Sequence, residues 1–232
     1  MVRALVITHS ATEGVANVGD WLEEAGVELH VVEPWNGDEV PATAAGYDAL
    51  LVMGGPQQAY DDGSAPWLRA TKDLLRASVA DRTPTLAVCL GAQLLAEATG
   101  GRVEKGAQGV EAGARLVAKR DAAWEDELFR DVPLTPTVMQ WHEDAIVDLP
   151  PGAVNLASSP RYPYQAFRLG DRAWGLQFHI ETPAEMVRHW GAEHGRSVEE
   201  LPEVEACWRP MVEKFAELAA GRGRVVLPVV EA

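Results

Sequence analysis

Cysteine is scarce in this chain, with only Cys89 and Cys207 among 232 residues. Two cysteines that far apart make no disulfide framework, so a reducing cytoplasm is the expected compartment. Positive charge is also short. Twenty Lys and Arg stand against 35 Asp and Glu, a formal net charge of -15 that argues against nucleic acid as a partner. The acidic residues are spread along the chain and read as solvated surface. No apolar run is long enough to cross a membrane, and Met1-Val2-Arg3 leads straight into a strand without the basic and apolar regions of a secretory signal. Internal repeats, low-complexity tracts and Ser/Gly/Pro linkers are lacking as well. A chain this long, 47% hydrophobic, suits one α/β domain over residues 1–232.

Ordinary α/β patterning is what remains. Ala4 to Ile7, Val27 to Val32, Tyr47 to Met53 and Thr85 to Val88 are short apolar runs of the kind found in buried parallel strands. Between them, Val15 to Glu24 and Trp67 to Ala80 carry apolar residues at helical spacing, the first closed by Gly26 and the second opened by Pro66. This alternation predicts βαβ units and an open, mostly parallel sheet flanked by helices, a flavodoxin-like arrangement. After Gly101 the pattern turns β-rich. Arg102 to Lys119 reads as two strands joined by glycine turns, and five strand candidates follow between Thr137 and Phe178. Helices return after Pro183 and over Val204 to Leu218. The apolar tail Val225 to Val230 reads as a strand or a cover for a surface patch.

The chain is organised around Thr85-Leu86-Ala87-Val88-Cys89-Leu90-Gly91-Ala92-Gln93. The pattern predicts a strand that turns sharply at Cys89 into a helix from about Gly91, stopped by Gly100-Gly101. Such a turn lifts the sulfur above the sheet edge at a helix amino end, where unpaired amides favour a thiolate nucleophile. Serine hydrolases place their nucleophile on the same kind of elbow. A nucleophilic thiol needs a base, and the base an orienting group. Gln177-Phe178-His179-Ile180-Glu181 supplies both: at a period of two, His179 and Glu181 leave the backbone on one side. Gly54-Gly55-Pro56 ends another strand and lets amides approach a substrate. The Gly55 and Leu90 amides are the expected donors to an oxyanion. A metal site from His142, Glu143 and Asp144 is disfavoured because adjacent residues are poor shared ligands. Cys207 and most tryptophans read as packing. His9, His30, His189 and His194 read as surface or satisfied core residues, with His9 near the ligand-binding edge of the sheet.

These motifs, in this order, resemble the class I glutamine amidotransferase family of the Cys-His-Glu type, from about Arg3 to about Trp190. The likeness is to a stand-alone member similar to the glutaminase domain of GMP synthase. Val88-Cys89-Leu90-Gly91-Ala92-Gln93 is similar to the family's nucleophile motif, His179-Ile180-Glu181 to its His-x-Glu motif, and Gly54-Gly55-Pro56 to its oxyanion loop. The resemblance implies hydrolysis of the glutamine side-chain amide through a γ-glutamyl thioester, with no cofactor and no metal. It implies substrate contacts from Pro56, Gln93, Trp141 and His142. It implies glutamine or a γ-glutamyl small molecule as the ligand. An ammonia-accepting synthetase subunit would be the partner, since too little chain follows the triad for a synthetase domain of its own. A free-standing γ-glutamyl peptidase and a catalytically silent regulatory subunit remain open alternatives. Three positions depart from the family's usual residues: Ala87 for glycine, Ala92 for histidine or another larger residue, and Ile180 for proline.

Overall fold

The computed structural model describes residues 1–193 and 202–221. Helix α1 (Ala16–Glu24) lies between strands β1 (Val2–Ile7) and β2 (Val27–Val32), helix α2 (Trp67–Ala80) between β3 (Ala49–Val52) and β4 (Thr85–Val88), and α3 (Leu90–Ala98) follows β4 directly, while β2 and β3 are joined without an α-helix. Eight later strands follow: β5 (Arg102–Lys105), β6 (Glu111–Leu116), β7 (Ala118–Lys119), β8 (Thr137–His142), β9 (Asp144–Asp148), β10 (Val154–Ser158), β11 (Ala166–Leu169) and β12 (Ala173–Leu176). Helices α4 (Ala184–Glu193) and α5 (Pro202–Gly221) close the described chain.

The main sheet has eight strands in the order β2-β1-β3-β4-β12-β11-β10-β7. From β2 to β12 every pairing is parallel, and β11, β10 and β7 extend the sheet antiparallel. Strand alternation divides the core. Val6, Leu51, Leu86 and Val88 face α1 and α5 with Trp21, Trp208 and Phe215, while Leu5, Ile7, Leu50 and Ala87 face α2 and α3 with Leu68, Leu74 and Leu94. Both faces are covered, which is why these strands read as continuous apolar runs.

The β-rich half differs from the sequence expectation. Arg102 to Lys119 holds three strands, and β5 and β6 do not pair with each other. β5 pairs with β9 and β6 with β8, forming two separate antiparallel ribbons. The strand over Tyr47 to Met53 is shorter, Ala49–Val52, and the strand before His179 ends at Leu176. His194 and the tail Val225 to Val230 lie outside the described residues.

Candidate active site

Four loops meet at the carboxyl edge of the parallel strands, the edge where open α/β sheets bind ligands. They follow β1 (His9 to Val15), β3 (Gly54 to Gln58), β4 (Cys89) and β12 (Gln177 to Glu181). Cys89 is the sharp turn the sequence predicts: its φ of 51° and ψ of -109° lie where non-glycine residues rarely go, at a cost of about 1–3 kcal/mol. Its N–H donates to the Leu176 carbonyl at 2.7 Å and its carbonyl accepts from Gln93 N–H at 3.0 Å, so the turn is pinned on both sides. The turn closes tightly only because Gly91 has no side chain. A Cβ there would collide with the Val52 carbonyl of β3.

His179 and Glu181 are both 1% exposed, and the imidazole Nδ1 lies 2.6 Å from Glu181 Oε1. With a carboxylate as acceptor, Nδ1 carries the hydrogen and donates it. The other carboxylate oxygen accepts from the Ile180 N–H at 2.9 Å. Proline, the family's usual residue at that position, has no such donor; Ile180 adds it and buries its side chain beside Phe178. Burial would lower the His179 pKa. The Glu181 carboxylate, and after it the charge and hydrogen bonding of the neighbouring Cys89 sulfur, outweigh it and hold the imidazole pKa well above its ordinary value. His179 Nε2 has no well-aligned hydrogen-bond partner among the described residues, and Cys89 is the electrostatic neighbour of the ring. The His179–Glu181 pair is further fixed by a bridge between His179 and Met139 and by the Asn17 N–H donating to the Glu181 carbonyl.

Gly55 packs where nothing larger fits: a Cβ would lie 2.5 Å from His9 Cβ and 2.7 Å from Gln57 Oε1. A Cβ on Gly54 would lie 2.9 Å from Glu13 Oε2, 3.1 Å from His179 Cε1 and 3.6 Å from Cys89 Cβ. The glycine pair thus brings backbone against Cys89 and His179. Leu90, the first residue of α3, follows Cys89 at the helix amino end, where N–H groups have no intrahelical acceptor.

A cavity of about 550 Å³ opens above Cys89, and the four sequence-derived substrate residues Pro56, Gln93, Trp141 and His142 all line it. Gln93 and His142 hold hydrogen bonds within the cavity wall. Gln93 Nε2 donates to the Asp144 carbonyl at 3.2 Å and to Gln177 Oε1 at 3.3 Å. His142 places Nδ1 2.8 Å from the Asp144 carbonyl and Nε2 3.2 Å from Glu111 Oε2. Burial would raise the Glu111 pKa, but hydrogen bonds from His142, Ser159 and Gln165 bring it below the usual carboxylate value. The His142 ring, carried on β8, therefore braces β9 and β6 at the cavity wall. Among the described residues no group of three or more His, Cys, Asp or Glu side chains is set to hold a metal ion.

Glu13 and Trp190 also line the cavity, and sequence reasoning assigned neither to it. Trp190 stands edge-on to the His179 ring at 4.8 Å and against Trp141 at 5.7 Å. Its helical spacing signalled only packing. Glu13 lies in the loop after β1, and that position at the sheet edge was its one available signal. His9 is neither surface nor a satisfied core residue. It is wholly buried, accepts from Trp67 Nε1 at Nδ1, and leaves Nε2 without a partner among the described residues.

Comparison with known proteins gives concordant results. The family model described as Glutamine amidotransferase class-I matches residues 12–187. A putative glutamine amidotransferase-like protein, YfeJ of Salmonella typhimurium, is 29% identical over 80% of this chain and 78% of its own length. The glutamine-hydrolyzing GMP synthase of Thermus thermophilus is 34% identical over 78% of this chain. The match spans only 34% of that enzyme, and 26% of the GMP synthase of Staphylococcus carnosus. Among solved structures, a glutamine amidotransferase from Thermotoga maritima superposes with a TM-score of 0.79 at 27% identity, covering 95% of this chain and 97% of its own. One from Methylobacillus flagellatus gives 0.81 at 29% identity, covering 95% and 94%.

Proposed function

This chain belongs to the class I glutamine amidotransferase family, and from that premise we propose that it hydrolyses a γ-glutamyl amide, glutamine being the simplest, with Cys89, His179 and Glu181. The observation that carries the reading is a thiol on a strained strand-to-helix turn beside an imidazole whose far nitrogen is 2.6 Å from a buried carboxylate. Nucleophile, base and orienter then stand in the order acyl transfer requires.

In this reading the Cys89 proton passes to His179 Nε2, and the sulfur attacks the side-chain carbonyl carbon. The Gly55 and Leu90 N–H groups donate to the oxyanion that forms. Collapse breaks the C–N bond, and His179 returns its proton to the departing nitrogen. Water then gives a proton to His179 and attacks the γ-glutamyl thioester. Glutamate leaves, and the proton restores the thiol. Glu181 keeps Nδ1–H turned toward it. Pro56, Gln93 and Trp141 bound the γ-glutamyl group, and the braced His142 fixes the wall behind it. The reading requires a reduced thiol, which fits a reducing compartment and two free cysteines. Among the described residues no helix is long and apolar enough to cross a membrane.

When glutamine is the substrate, the product is ammonia and a synthetase partner is its natural consumer. The test is ammonia release from glutamine by the purified protein, measured beside amino-acid release from γ-glutamyl dipeptides, with Cys89→Ala as the blank. Release that depends on Cys89 is expected; release undiminished in the variant overturns the assignment.

A further inference from the structure

His9 is buried beside the site and takes no part in the chemistry proposed above. It stands just past β1 and holds both ends of the connection from β3 to α2, residues 53–66. Near the start of that connection, Gln57 Nε2 donates to the His9 carbonyl at 3.1 Å, and a Cβ on Gly55 would lie 2.5 Å from His9 Cβ. At its end Trp67, the first residue of α2, donates from Nε1 to His9 Nδ1 at 3.3 Å. An indole N–H can only donate, so Nδ1 keeps its lone pair and the ring hydrogen sits on Nε2. Burial lowers the His9 pKa to about 4, which keeps that lone pair free at neutral pH. The consequence is an enclosed Nε2–H with no partner among the described residues. A buried donor of that kind costs about 1–3 kcal/mol, and a phenyl ring would not carry it. The imidazole is retained in spite of that cost, and the acceptor it offers Trp67 is what a phenyl ring lacks.

The two glycines of the loop face opposite ways. Gly54 turns toward His179 and Cys89, where a Cβ would lie 3.1 Å from His179 Cε1 and 3.6 Å from Cys89 Cβ. Gly55 turns toward His9 and the nucleophile helix, where a Cβ would lie 2.5 Å from His9 Cβ and 3.0 Å from Leu90 Cδ2. The loop is thus wedged between the thiol and imidazole on one side and His9 on the other. Donors of an oxyanion hole act by standing in place before charge develops. Whatever fixes His9 therefore fixes the backbone that carries the Gly55 amide.

We propose that His9 is a positioning residue for the oxyanion hole: locked by Trp67 and tied to Gln57, it sets the Gly55 amide. This rests on the hydrolase reading above and adds to it a part that touches neither substrate nor the reacting atoms. Trp67 acts through His9, so the two form one unit. Loss of either releases the glycine loop while Cys89, His179 and Glu181 keep their own contacts.

The test measures kcat and KM on the full chain with glutamine and with a γ-glutamyl dipeptide, for wild type, His9→Phe, Trp67→Phe and the double variant. Alkylation of Cys89 by iodoacetamide, which forms no oxyanion, is timed beside them. Each single variant should lose kcat by about tenfold, short of the roughly 10²–10³ that removing a whole oxyanion donor costs. KM and the alkylation rate should stay unchanged, because the contact matters only in the transition state. The double variant should lose no more than His9→Phe alone, as residues of one unit do. Trp67→Phe deletes only the donor and gives the same split should His9→Phe not fold. Undiminished kcat in both single variants overturns the proposal. So do losses that multiply in the double variant, or an alkylation rate that falls in step with kcat. A wild type without Cys89-dependent turnover contradicts the hydrolase reading and removes the proposal with it; an active wild type with any of the former results contradicts the proposal alone.

Discussion

Cys89 and Cys207 are the same chemical group in two environments. Burial pushes the Cys207 thiol up to about 11, with no base beside it among the described residues, whereas Cys89 stands at a helix amino end next to the His179 imidazole. Iodoacetamide at neutral pH should therefore modify Cys89 and spare Cys207, as read by peptide mass; the opposite pattern would contradict the site. Glu181 is the largest source of the raised His179 pKa. In Glu181→Gln the imidazole should titrate at lower pH, observed by NMR of its Cε1 proton, and an unmoved midpoint would contradict the pairing. The sign for stability follows from that elevation. The unfolded chain's histidine titrates near 6.5, so the pair's contribution is complete below that pH and is lost as pH rises through the higher folded value. His9 acts in the other direction. Burial lowers its pKa to about 4, so the unfolded chain binds a proton that the folded protein refuses. Stability should fall by about 3 kcal/mol between neutral pH and pH 4 on this account alone. Urea midpoints across that interval check it, and His9→Gln should flatten that part of the slope.

At the scale of elements, the decisive fit is α3 starting directly from β4. Gly91→Ala should destabilise the protein by about 1–3 kcal/mol through overpacking and lower turnover by displacing Cys89. Gly14→Ala, where a Cβ meets nothing within 4 Å, should leave the urea midpoint nearly unchanged. An equal response at both positions would contradict the close approach of α3 to β3. The parallel half of the fold was readable because each buried strand leaves its own apolar run and each helix its own stripe. The elbow was readable because Gly91 and Ala92 permit it and Gly100-Gly101 ends the helix. Pairing in the second half was not. β5 and β6 find their partners beyond Asp131, and neither segment's own residues say which later strand completes it. The candidate residues Cys89, His179 and Glu181 were legible as motifs, whereas Glu13 and Trp190 were not. Their roles come from where a loop and a helix meet across the sheet edge, which no spacing along the chain encodes.

At the scale of the molecule, the four edge loops of one sheet bring together a site drawn from residues 9 to 190. The strand order β2-β1-β3-β4-β12 places Cys89 beside both the glycine loop and the histidine strand. Asn17 of α1 meets the Glu181 carbonyl and Trp190 of α4 meets the His179 and Trp141 rings, so both helices border the site. The central claim is that Cys89 attacks a γ-glutamyl carbon. The most direct measurement is intact-mass and peptide mapping of the protein treated with an electrophilic diazoketone analogue of glutamine. A single adduct on Cys89, suppressed by excess substrate and nearly lost in His179→Ala, is the result predicted. No adduct, or one borne by Cys207 instead, would contradict the account.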